Sequence, residues 1–159
     1  MAKTLSSMPG EEEFKAELKD SGIEIIPVPV AWNESYEIFP KIYYSFEAMG
    51  LTDKYHMKFW NWVLHTDHSW NSKEDVLPDV ERWIERQGID LALWRRTFNS
   101  FTVRTKVRNA NALWQRYGID STPMTGVSGR YLTAPHLVGN RRATIESIRF
   151  LIEKVRKER

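Results

Sequence analysis

Residues 117–131 read YGIDSTPMTGVSGRY, and the parsing of this stretch decides the fold. Up to Gly118, apolar residues recur every three or four positions; after it that period is lost. The change predicts a helix that stops at Gly118, then two short strands over residues 124–128 and 130–133 around Ser128-Gly129, a hairpin pattern. Pro123 stands just before the first strand. A proline has no N–H to give to a ladder, so it is confined to strand starts, edges and bulges. Gly126 interrupts the first strand where a β-branched residue is more usual, and residues 134–142, APHLVGNRR, read as a loop.

Working back from Gly118, Val103, Val107, Ala110, Trp114 and Tyr117 lie on one face of a long helix over residues 100–117. Four more helical patterns precede it. One spans residues 35–48, capped by Ser35 and ended by Gly50, and a second spans 52–65. The others cover 73–87, ended by Gly88, and 90–98, capped by Asp90. Working forward, Ile145, Ile148, Ile152 and Val155 form the core stripe of a helix over residues 144–157. At the start, residues 7–13, SMPGEEE, open a helix that runs to 19 or 20 and stops at Gly22. Residues 23–30, IEIIPVPV, read as a strand buried on both faces, with Pro27 and Pro29 silencing one edge.

Composition limits the function. Seven Trp, seven Phe and six Tyr in 159 residues make a chain built to pack. A net charge of +2, from 23 basic and 21 acidic residues, does not point to nucleic acid. No apolar run is long enough to predict membrane insertion, and residues 1–10 lack an apolar signal-peptide core. There is no cysteine, so the chain offers no disulfide, thiolate metal site or cysteine nucleophile.

The order is helix, strand, five helices, strand, strand, helix. The expected fold class is α/β (α+β) and mostly helical: an incomplete thioredoxin-like fold, residues 1–33 and 118–159, with a large all-helical insertion, residues 34–117. Residues 117–131, followed by a helix ending IEKVRKER, resemble the C-terminal part of the DsbA family of periplasmic thiol-disulfide oxidoreductases. IPVPVAWN at 26–33 resembles the strand that leads into that family's helical domain, and residues 98–123 resemble its long returning helix. The resemblance implies a cis bond at Thr122-Pro123 and a substrate-binding element of Ser121, Thr122 and Pro123, whose backbone edge pairs with an extended substrate. It implies reduced or unfolded exported proteins as partners, a periplasmic location for the full-length family protein, and no cofactor.

The family's chemistry needs a C-x-x-C pair, which this chain does not have. Two causes fit: a chain cut short, favoured by the missing signal peptide, or a natural relative without redox chemistry. The expectation is therefore a chain with no catalytic residue of its own, or a non-catalytic binding or chaperone module of the same fold. Loss of the family's central strand would leave two apolar sheet edges open, and a homodimer formed through those edges is the expected consequence.

Rival sites are weaker. His65, Asp67 and His68 in HTDH have no strong metal spacing and fall in a loop, so no metal site is expected. His56 and His136 are isolated and read as structural. Trp60, Trp70, Trp83, Trp94 and Trp114 have helical spacings that suit a core better than stacking platforms. Arg104, Lys106, Arg108 and Arg116 form a solvated basic face, and Glu11, Glu12 and Glu13 form exposed first-turn carboxylates.

Overall fold

The structure, a computed structural model, describes residues 11–19 and 21–158. The expected helix opening at residues 7–10 and the side chains of Glu11, Glu12 and Glu13 lie outside that description. The chain divides into two compact units, one holding residues 27–115 and the other the chain up to Ile26 and from Arg116 onward.

The first unit is helical. After a turn of 3-10 helix at Glu34–Tyr36 come α2 (Ile38–Ala48), α3 (Thr52–His65), α4 (Lys73–Arg86), α5 (Leu91–Phe98) and most of α6 (Phe101–Arg116). Asn33 caps the 3-10 turn by accepting from the Ser35 N–H at 3.0 Å, so Ser35 is not the cap. Asp90 caps α5 as expected, its Oδ1 accepting from the Leu93 N–H at 2.9 Å. Pro40 sits in the first turn of α2, where a missing N–H breaks no helical bond.

Pairs three or four apart turn large side chains inward: Ile42 with Phe46 on α2, Tyr55 with Phe59 on α3, Val76, Val80, Trp83 and Ile84 on α4, and Trp94 with Phe98 on α5. Their rings meet edge to face, Phe46 on Phe59 at 6.0 Å and 70°, Phe59 on Trp83 at 5.5 Å and 80°. Each buried ring of this kind contributes about 1.5–3 kcal/mol. Val103, Val107 and Ala110 of α6 pack with Tyr44, and Val28 joins them. Trp32 makes an edge contact with Trp114 at 5.3 Å. Residues 27–33 group with the helical unit, which runs from Pro27 to Gln115.

The second unit contains α1 (Glu11–Lys19), the hairpin β1 (Thr125–Val127) and β2 (Tyr131–Thr133), the short α7 (Pro135–Val138) and α8 (Arg141–Lys157). Phe14 and Leu18 of α1 are buried, and Arg149 of α8 joins Glu17 at 2.8 Å while lying over the Phe14 ring. The final helix starts at Arg141, three residues before the expected 144, because Asn140 caps it by accepting from the Ala143 N–H at 2.9 Å. Val155 is buried; Ile145, Ile148 and Ile152 are half-buried.

Residues 23–30 correct the sequence-based expectation most sharply. They form no strand, and Ile25 and Ile26 are 55% and 68% exposed. Two prolines among these eight positions remove half of one edge's donors, and no described strand pairs with the other edge. An apolar run alone does not make a strand without a ladder partner.

Candidate functional site

The hairpin builds the site. β1 and β2 pair antiparallel, Thr125 opposite Thr133, Gly126 opposite Leu132 and Val127 opposite Tyr131. Ser128 and Gly129 both take positive φ, 54° and 71°, as a type I′ turn requires, and the Arg130 N–H donates to Val127 O at 3.1 Å. Gly126 is explained by Tyr117: a Cβ there would lie 3.0 Å from that ring. The glycine is a seat for the tyrosine, not a break in the strand.

The register sets what comes next. Continued two residues beyond Thr125 and Thr133, it places Pro123 opposite Pro135. Neither proline can donate, so the ladder ends there and the two chains diverge. On one side is the loop from Gly118 to β1; on the other, Ala134 turns directly into α7 with Pro135 as its first residue. Between them lies an open pocket of about 420 Å³ lined by Asp120, Ser121, Thr122, Pro123, Pro135 and His136. The Thr122-Pro123 peptide bond is cis. Ser121 Oγ donates to Asp120 Oδ1 at 3.0 Å and lies 3.3 Å from His136 Nδ1. Asp120, Pro123 and His136 are exposed, while Ser121, Thr122 and Pro135 are half-buried.

The three residues expected to bind substrate therefore lie together, joined by three more. His136, expected to be an isolated structural residue, stands in the pocket wall. The loop expected at residues 134–142 contains α7, which carries it. The hairpin register was the available signal, since counting outward from its centre at Gly129 brings residues 122–123 opposite 135–136.

The rival positions are taken up by packing. His68 stacks on Trp70 at 3.9 Å, meets Trp62 edge-on at 4.6 Å, and places Nε2 3.2 Å from Trp62 O. Among the described residues no group of three His, Asp or Glu is placed to hold a metal. Trp83 and Trp94 are in the helical core, with Trp60 and Trp70 packed against it. Lys106 of the basic face pairs with Glu47. Among the described residues no helix is long and apolar enough to cross a membrane.

No family model matches the chain. The thiol:disulfide interchange protein DsbA of Bordetella pertussis is 34% identical over 113 residues, 71% of this chain and 52% of the relative. The Burkholderia cepacia protein of the same name is 26% identical over 147 residues, 91% of this chain and 68% of the relative. The chain thus spans about half the length of the Bordetella relative that it matches. A crystal structure of Pseudomonas aeruginosa DsbA matches with a TM-score of 0.73 at 18% identity, covering 95% of this chain and 80% of that one. The fold shared with that structure and the relatedness in sequence together show the chain to be a DsbA-like family member.

Proposed function

We propose that this chain is the polypeptide-engaging part of a DsbA-like thiol:disulfide interchange system acting on exported proteins in the periplasm. The pocket beside Pro123 carries this reading: it lies at the open end of the only described hairpin and is lined by Ser121, Thr122 and Pro123. The outer edge of β1 meets no other described strand, so an extended peptide has a place to add alongside it. The chemistry of exchange needs a thiolate, and these 159 residues contain none. The chain alone then binds reduced polypeptide without exchanging its disulfides, which is also how a non-catalytic binding module of this fold behaves.

Two measurements on the same sample test the reading. Titration of the isotope-labelled chain with a reduced extended peptide is expected to shift the amide signals of Ser121, Thr122, Met124 and His136. An insulin-reduction assay is expected to show no rate above the uncatalysed one. Shifts confined to the helical unit, or turnover by the pure chain, would overturn it.

Association between copies belongs to the same proposal. Its original basis, two open strand edges, is reduced to the hairpin edge, since residues 23–30 form no strand. Exposed Ile25 and Ile26 replace the lost edge as the apolar surface that a second copy covers.

A further inference from the structure

We propose that the pocket beside Pro123 selects polypeptide segments carrying an arginine, and less strongly a lysine, at the residue that enters it. The inference rests on the polypeptide-binding reading and adds the substrate class. Ser121 has one hydroxyl hydrogen and two neighbours able to accept it, Asp120 Oδ1 at 3.0 Å and His136 Nδ1 at 3.3 Å. The carboxylate is the stronger acceptor. With the hydroxyl donating to Asp120, the remaining contact closes only if His136 donates its Nδ1–H to Ser121. The chain of donors thus runs from His136 to Ser121 to Asp120, and in the neutral ring it leaves His136 Nε2 as an acceptor.

Both polar ends of this chain therefore offer lone pairs. Asp120 adds a full negative charge, and it is exposed on the pocket wall. Thr122, Pro123 and Pro135 complete the lining. A side chain that fits needs an apolar body, several N–H donors and a positive charge. Arginine meets all three, because its planar guanidinium lies against flat apolar faces and presents several donors at once. Lysine has the charge without the plane. A carboxylate or phosphate would meet Asp120 as a like charge in a pocket whose one hydroxyl hydrogen is already given to Asp120.

The test uses the full chain and four labelled extended peptides that differ only in a central Arg, Lys, Gln or Glu, followed by fluorescence anisotropy at low ionic strength. One exposed charge pair is worth a few-fold in affinity, so the Arg peptide is expected to bind about fivefold tighter than Gln, with Lys between and Glu weakest. Added salt is expected to narrow the spread. In Asp120→Asn the Arg-to-Gln ratio is expected to fall to near one, and in Asp120→Lys the order is expected to invert, with circular dichroism reporting the fold of each variant. Equal affinities for all four peptides, or a preference for Glu, overturn the charge selection and leave polypeptide binding standing. Absence of binding by every peptide removes both.

Discussion

His56 lies on α3 with its ring edge-on to Tyr43 at 5.3 Å and to Trp60 at 6.5 Å. Burial holds its pKa below the ordinary value of 6.5. The unfolded chain then takes up a proton that the folded chain resists, so stability falls as the pH drops below about 6.5 and goes on falling through the folded value. The urea midpoint is expected to be lower at pH 5 than at pH 7.5, and His56→Phe is expected to flatten the difference. A midpoint gap as wide in the variant as in the parent would sink the assignment. At the same scale, His136 shows what single-residue reasoning misses. It is one histidine without a motif, and only its position opposite the loop at 122–123 makes it part of a site.

Among elements, the hairpin is small and strongly specified. Three residues on each strand pair through a turn of two left-handed residues, and Tyr117 covers Gly126. A side chain at 126 must push that ring away, since even a Cβ would stand 3.0 Å from it. Gly126→Val is expected to destabilise the protein by about 0.5–1.5 kcal/mol, the cost of holding the displaced Tyr117 ring off its rotamer, despite valine's better strand propensity. Thermal unfolding reads the change; a variant as stable as the parent would mean that the ring moves at no cost.

At the scale of the whole molecule, the helical unit has its aromatic core and the hairpin unit has far fewer large buried side chains. The exposed apolar residues Ile25 and Ile26 lie on the hairpin unit's side of the boundary. Sedimentation at micromolar concentration is expected to show association, and Ile25→Ser with Ile26→Ser is expected to weaken it several-fold. A monomer over that range, with the parent sequence, would rule out the association proposed above.

Much was legible in order along the chain. α3 over Thr52–His65, the Asp90 cap, the stripe of Val103, Val107 and Ala110, the hairpin and the cis Thr122-Pro123 bond all match what the residues and their resemblance imply. Helices and tight turns are set by contacts within a few residues, so their signals are local. The failures share the opposite cause. Whether residues 23–30 form a strand depends on a ladder partner, which no local pattern supplies. The role of Gly126 depends on a ring nine positions earlier, and that of His136 on a loop brought beside it by the hairpin register. These were decided by tertiary structure alone, because strand pairing and pocket closure are contacts between segments, and a segment's own composition does not say what will stand next to it.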